Sequence, residues 1–314
     1  MKAMVIKDFG GPEVFEERDI EIPELCPNEI LVRVKATSIN PVDYKIRASG
    51  KWAGIKPPAV IGYDVAGVVE KKGEAVEMFE EGDEVFYTPE ITPQGGSYAE
   101  YHVANESIVA KKPVNLDFIE AASIPLAGCT AWDSLMGAAL LQIPETVLIH
   151  GGAGGVGSLA IQLAKAAGAK VFTTCGGYHK DIVKKLGADL AIDYRNVNFI
   201  DIIKSETNGD GIDVVFDCVG GDTLEKSLEI TNFRGRLVTI VNAEGNFNKA
   251  KSKNISVHYV FMQRSAKTMN TLRKMIEREQ IKPVIDSVMK LEDVAAAQKK
   301  LEKGGVKGKI VLKV

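Results

Sequence analysis

Six consecutive residues, Gly152-Ala153-Gly154-Gly155-Val156-Gly157, place glycine at the first, third and sixth positions. Glycine is a costly choice in an ordered segment, because it gives up the most backbone freedom on folding. What it offers in return is room for another group to approach the backbone. The stretch follows an apolar run at Val147–Ile149. It opens into a segment with Val156, Leu159, Ala160, Leu163 and Ala164 on one helical side, and it meets a further strand pattern at Val171. G-x-G-x-x-G between a strand and a helix is the arrangement that binds a dinucleotide. Gly152 is expected to allow the tight turn, Gly154 to admit the pyrophosphate, and Gly157 to let helix and strand pack closely. The helix start at Gly155 and Val156 then offers unpaired N–H groups and a partial positive charge. Outside that setting the same residues would be a glycine-rich turn without a ligand.

The residues that follow bear on which dinucleotide. Sites that prefer the unphosphorylated cofactor hold the ribose 2′-hydroxyl with an Asp or Glu about 20 residues past the glycines. Here that region reads Thr174-Cys175-Gly176-Gly177-Tyr178-His179-Lys180, with no acid before Asp181. A carboxylate would repel a 2′-phosphate, whereas Lys180 would neutralise it and Thr174 would donate a hydrogen bond. The pattern predicts NADPH. Lys180 read instead as a solvated lysine would sit at a helix start, where the dipole disfavours it. Tyr194, in Asp193-Tyr194-Arg195, is either a flank for the adenosine phosphate or a packing tyrosine. Val219 and Val241 are also expected among the cofactor-binding residues.

These residues need a scaffold, and the chain is long enough for two domains. Its 314 residues are 45% hydrophobic and 26% charged, with a formal net charge of −3, the composition of a soluble globular protein. That charge points to neither nucleic acid nor an anionic membrane as partner. The N-terminus reaches Asp8 too soon for a signal-peptide apolar core, and no run approaches membrane-spanning length. Four dispersed cysteines, without a Cys-x-x-Cys pair, suggest neither a disulfide framework nor a zinc knuckle. The expectation is a cytoplasmic, reduced protein. Residues 1 to about 120 read as strands and turns, with alternation at Ile30–Ala36 and Val65–Val69 and a strand entered at Asp83. From about Ile124 strands and helices alternate. Strand candidates are Thr146–His150, Lys170–Thr174, Leu190–Ile192, Asp213–Asp217, Arg236–Val241 and Ile255–Val260, with helices near 155–167, 179–186 and 222–230. That spacing predicts a doubly wound parallel sheet. The tail holds two helical patterns and the strand KIVLKV, too little for a domain of its own. The expected division is 1–123, completed by 264–314, around a dinucleotide-binding domain at 124–263.

The ordered motifs SINPVDYKIRASG (38–50), VIGYDVAGVV (60–69), GGSYAEYHVA (95–104), SIPLAGCTAW (123–132), VLIHGGAGGVGSLAIQLAK (147–165), DVVFDCVGG (213–221) and GKIVLKV (308–314) resemble the medium-chain dehydrogenase/reductase superfamily, in its zinc-independent quinone oxidoreductase branch. The resemblance implies an α/β protein: a Rossmann domain plus a GroES-like β-rich catalytic domain, with a cleft for hydride transfer and a homodimeric assembly. Where the family's alcohol dehydrogenases carry zinc-binding Cys and His-Glu, this chain has Asn40 and Tyr63-Asp64. A further Cys position holds Leu126, and Val85–Ser97 contains no Cys. A catalytic zinc needs three protein ligands and an open position, so no metal is expected. Lacking that Lewis acid, the chemistry falls to acceptors that are electrophilic on their own: quinones and α,β-unsaturated carbonyls. The resemblance places Asn40 beside the nicotinamide ribose, Thr130 against the nicotinamide, Lys45 near the cleft and Tyr63 in the pocket. Lys45 is otherwise a surface lysine and Thr130 a small helical residue. His102 and His150 read as structural histidines, and His179 lies near the phosphate end. Other function classes left open are a zinc-type alcohol dehydrogenase and a non-catalytic NADPH-binding protein. The alternating ISVHYV is expected at a sheet edge, where a second subunit could pair.

Overall fold

The alternation at Ile30–Ala36 is the centre of a ten-residue strand around which the first third of the chain is organised. The structure, a computed structural model, describes residues 1–91 and 95–314; part of the cysteine-free stretch Val85–Ser97 therefore lies outside the described residues. The chain begins with β1 (Lys2–Ile6), β2 (Phe15–Asp19), β3 (Glu29–Ser38), α1 (Pro41–Ser49), β4 (Ala59–Val60), β5 (Val65–Lys72), β6 (Glu84–Tyr87), β7 (Tyr101–Asn105), β8 (Ala110–Lys111) and α2 (Phe118–Ala122). β3 pairs antiparallel with β5 and with β7, and β5 continues through β6 to β8. Because successive side chains of a strand face opposite ways, Ile30, Val32 and Val34 meet Val65, Val69, Val85 and Tyr87 in one apolar cluster.

The middle of the chain adds α3 (Pro125–Trp132), β9 (Thr146–His150), α4 (Gly155–Ala166), β10 (Lys170–Cys175), α5 (Lys180–Lys185), β11 (Leu190–Asp193), α6 (Phe199–Glu206), β12 (Ile212–Asp217), α7 (Thr223–Ser227), β13 (Thr231–Thr239), α8 (Lys249–Ser252) and β14 (Ser256–Tyr259). Among the described residues these strands form one parallel sheet in the order β11-β10-β9-β12-β13-β14. This is the doubly wound order, with its switch point between β9 and β12, where the crevice at the carboxyl ends of the strands receives ligands. Each expected strand lies within a residue or two of its observed place except β13, which begins five residues before the expected Arg236. The structure also holds α6, which the strand–helix pattern had not marked. Asn198 caps it by accepting from the Ile200 N–H at 3.0 Å, and Ile200 and Ile203 turn inward. The expected edge strand is at the edge: β14 pairs with β13 alone in this sheet.

The tail supplies α9 (Ala266–Glu277), β15 (Ile285–Lys290), α10 (Val294–Lys303) and β16 (Lys309–Lys313). β16 pairs antiparallel with β3, Val311 opposite Ser38, and parallel with β15. Arg47 of α1 adds a second tie, donating to Gln298 at 2.6 Å and Glu302 at 2.7 Å, both on α10. Two compact units result: residues 1–126 with 264–279 and 283–314, and residues 127–263 with 280–282.

Candidate functional site

In the second unit the glycine turn leaves the end of β9 and starts α4. Gly151 carries the left-handed backbone, with φ of +77°, and its carbonyl accepts the Gly154 N–H at 3.0 Å. The tight turn expected of Gly152 thus falls on Gly151. Gly152 is small for another reason, since a Cβ there would lie 1.9 Å from the Thr173 hydroxyl. At Gly157 a Cβ would lie 2.3 Å from the Gly151 carbonyl oxygen, so α4 packs against the turn with nothing to spare. Gly154 differs from both. A Cβ there would meet only the Gly151 carbonyl oxygen, at 3.4 Å, and the space beyond is open. Gly154 is the N-cap of α4, whose twelve residues have no acid in the first turn. The N–H groups of Gly155, Val156 and Gly157 precede the first i→i−4 hydrogen bond, made by Ser158 to Gly154 at 2.9 Å. Open space, orphan donors and the helix dipole coincide, which is the cradle a pyrophosphate requires.

The neighbouring strand ends border this turn. Val219 is exposed above Gly151, 3.2 Å from where a Cβ would stand there. It follows Asp217, whose carboxylate accepts the Val219 and Gly220 N–H groups at 2.9 and 3.1 Å. Val241 lies beside Gly220, and its N–H donates to the Thr239 hydroxyl at 3.3 Å. Thr130 is buried on α3 of the same unit, its carbonyl accepting from the Ser134 hydroxyl at 2.7 Å.

Beyond β10, Lys180 opens α5 and is half-buried, with His179 at the N-cap. A second cation stands with the tyrosines of this region. The Arg195 guanidinium lies 5.1 Å from the Tyr178 ring centre and 5.8 Å from that of Tyr194, an exposed cation–π cluster. Arg195 was not among the sequence candidates; its adjacency to Tyr194 was the available signal. The fold also brings an acid to the loop that spacing did not show. A Cβ on Gly177 would lie 2.3 Å from an Asp193 oxygen. That carboxylate already accepts from the Arg195 N–H at 3.1 Å and the Asn196 amide at 2.7 Å.

Thr174 does not take the expected part. It is buried, and its hydroxyl lies 3.1 Å from His150 Nδ1, while the other ring nitrogen lies 3.0 Å from the Ser227 hydroxyl. Ser227 donates its only hydroxyl proton to the Thr223 carbonyl at 2.8 Å. His150 must therefore donate from Nε2 and accept at Nδ1. Thr174 donates its single proton to that acceptor and has none left for a phosphate.

In the first unit the candidate Asn40 lies in a buried polar cluster. Asn40 caps α1 with extended backbone, ahead of Pro41 at the first helical position. Its amide donates to Asp64 at 2.7 Å, and its oxygen accepts from the Lys309 ammonium. Asp64 also accepts from the Ser38 hydroxyl at 2.5 Å, the Leu126 N–H at 2.7 Å and Lys309 at 3.2 Å. Lys309 opens β16 and is only 5% exposed. It escaped sequence reasoning because 245 residues separate it from Asp64. Asp43 completes the cluster, accepting the Asn40 N–H at 2.7 Å and the Tyr98 hydroxyl at 2.5 Å. Burial pushes its carboxyl up to about 7 against the pull of the Tyr98 hydrogen bond.

Two sequence candidates do not join this cluster. Lys45 is exposed on α1, whose Asp43, Ile46 and Arg47 are the buried residues. Tyr63 is 1% exposed and packs in an apolar cluster with Ile39, Ile61 and Tyr98. The expected pocket residue is thus a core aromatic, its phenol pushed up by burial. His102 and His150 are structural as expected: both are buried, and burial lowers them to about 4 and about 3.

Two family models match: the alcohol dehydrogenase GroES-like domain over residues 26–114 and the zinc-binding dehydrogenase over 186–312. The chain is 36% identical to the human quinone oxidoreductase, over 99% of this chain and 97% of that one. It is 37% identical to the chloroplastic NADPH-dependent alkenal/one oxidoreductase of Arabidopsis thaliana, over 99% of this chain and 79% of that one. The solved quinone oxidoreductase of Coxiella burnetii superposes with a TM-score of 0.92 at 33% identity, over 100% of this chain and 99% of that one. The chain belongs to the medium-chain dehydrogenase/reductase superfamily, in its zinc-independent quinone oxidoreductase-like branch. It is an oxidoreductase with a Rossmann domain and a GroES-like β-rich domain, using a nicotinamide cofactor. No helix among the described residues is long and apolar enough to cross a membrane. The family's zinc does not fit the residues present. Asn40, Tyr63 and Leu126 stand where the resemblance would put zinc ligands, and Asp64 already has three neutral donors and an ammonium. Among the described residues no group of three His, Cys, Asp or Glu could hold a metal ion.

Proposed function

We propose that this chain is an NADPH-dependent reductase of quinones and α,β-unsaturated carbonyls. The observation that carries the reading is the cluster at the zinc-ligand positions, where the Lys309 ammonium and three neutral donors satisfy Asp64. The residues there offer no Lewis acid to make an alcohol oxygen acidic, so the acceptor must be electrophilic by itself. NADPH supplies the hydride. It adds to the conjugated carbon system, negative charge moves to the acceptor oxygen, and solvent returns one proton. Asn40 and Thr130 are assigned to the nicotinamide end by family resemblance, and Lys309 and Asp64 hold the Asn40 amide at both ends. Lys45, exposed on α1, and Tyr63, in the core, are not retained as catalytic residues.

The phosphorylated cofactor is favoured by two cations, Lys180 and Arg195, against one carboxylate, Asp193, whose oxygens already have partners. We assign the pyrophosphate to the Gly154–Gly157 backbone, bordered by Val219 and Val241. A homodimer paired through the edge of β14 follows the same reading, with Tyr259 and Phe261 exposed there. The free, exposed Cys26 suits a reducing compartment such as the cytoplasm.

Following NADPH oxidation with a panel of quinones, enones and simple aldehydes tests the assignment. Turnover is expected with the first two classes, unchanged after chelator treatment. Simple alcohols with NADP⁺ should give none. Activity lost to chelator and restored by zinc would overturn the proposal.

A further inference from the structure

His150 touches neither open space nor the surface, yet its hydrogen bonds end at the turn that the dinucleotide reading needs. It is the last residue of β9 and is 1% exposed. Its ring stands edge-on to Phe199 of α6, centroids 4.8 Å apart. The chain of donors is directional. Ser227 gives its proton to the Thr223 carbonyl, His150 donates from Nε2 to Ser227, and Thr174 donates to His150 Nδ1. With its proton so directed, the Thr174 oxygen accepts the Gly151 N–H at 3.3 Å. That N–H is shared with the Thr174 carbonyl at 3.1 Å, and the same carbonyl accepts from Gly152 at 3.0 Å. Gly151 is the left-handed residue of the turn, and its carbonyl receives both Gly154 and the close approach of Gly157.

We propose that His150 is a positioning residue for the glycine turn, acting through Thr174. Its neutral ring orients the Thr174 hydroxyl, which holds the entry to the turn and with it the Gly155–Gly157 donors. The same contact withdraws Thr174 from the 2′-phosphate, so discrimination between the two cofactors is left to Lys180 and Arg195. Both ring nitrogens have partners, which fixes the tautomer and with it the direction in which the Thr174 hydroxyl points. The inference rests on the reading that the second unit binds a dinucleotide.

The test compares ligands that use the turn with one that does not. His150→Phe keeps the ring and its contact with Phe199 but removes the acceptor, whereas His150→Asn keeps an acceptor near the position of Nδ1. His150→Phe is expected to weaken NADPH and NADH alike by about tenfold, equivalent to about 1.4 kcal/mol. It should leave 2′-AMP, which has no pyrophosphate, bound as in the unaltered chain. His150→Asn should recover most of the loss. Thr174→Val should reproduce it, and the double variant should be no worse than either single one, because both break the same link. If His150→Phe does not fold, the isosteric Thr174→Val carries the same expectation. Unchanged NADPH affinity, an equal loss for 2′-AMP, or additive losses in the double variant would each overturn the proposal. An unaltered chain that binds neither NADPH nor NADH would instead remove the dinucleotide reading, and this inference with it.

Discussion

The glycine turn and the cluster around Asp64 hold their polar groups in opposite ways. The turn presents backbone N–H groups beside open space, and the missing side chain of Gly154 leaves that space free. Seven consecutive residues, Gly151 to Gly157, build it. The cluster buries side-chain charge and satisfies Asp64 internally, drawing Ser38, Asn40, Leu126 and Lys309 to it from separate stretches of chain. The difference teaches where each region is vulnerable. A substitution in the turn costs binding or local packing, whereas one in the cluster leaves an uncompensated group in a dry interior.

The largest effect is therefore expected in the cluster. Lys309→Met would leave the Asp64 carboxylate buried without its cation, and stability in urea should fall by about 3–5 kcal/mol. A variant as stable as the parent would show that the ion pair is not what holds the cluster. Next come two glycines of the turn, which should separate packing from binding. Gly157→Ala forces a methyl to 2.3 Å from a backbone oxygen and should cost about 1–3 kcal/mol in stability. Gly154→Ala, with its Cβ at an ordinary 3.4 Å and φ of −75°, should unfold at the parent's urea midpoint yet bind NADPH at least about tenfold more weakly. Equal effects of the two changes on stability would contradict the distinction.

Cofactor preference should respond on a smaller scale. Lys180→Ala should erode the preference for NADPH over NADH by about tenfold, near 1.4 kcal/mol, with NADH affinity nearly unchanged. Arg195→Ala should act in the same direction. Equal affinity of the unaltered chain for both cofactors, measured by titration, would sink the assignment.

The most gradual effect is a pH slope from the cluster. Asp43 is raised to about 7 from 3.8, so the folded state binds the extra proton between these values. Its contribution is complete at low pH and declines as pH rises towards 7. His102 and His150, lowered to about 4 and 3 from 6.5, have the opposite sign, because the unfolded chain binds their protons, and stability gains as pH rises to about 6.5. Asp43→Asn should remove the opposing slope, at most about 1.4 kcal/mol per pH unit. Its stability relative to the parent should then climb from pH 4 to 7 and level off above. Parallel stability curves would show that Asp43 does not titrate in that range.

What the sequence determined by itself is local. Turn, helix start and flanking strands of the candidate dinucleotide site fall within 30 residues, and the apolar runs of β9 and β10 are those of parallel strands buried on both faces. The residue types at Asn40, Tyr63, Asp64 and Leu126, on which the zinc-free proposal rests, are likewise legible in the sequence alone. Even here detail was lost: the left-handed turn residue is Gly151 rather than Gly152, because φ depends on how the chain leaves the strand. The tertiary structure alone decided the rest. It turned the Thr174 hydroxyl inward to His150, brought Asp193 against Gly177 from the adjacent strand, and sent Tyr63 into the core. It also joined Lys309 to Asp64 across 245 residues. Each of these depends on which elements the fold sets side by side, fixed by sheet register and by the need of buried charges and donors for partners.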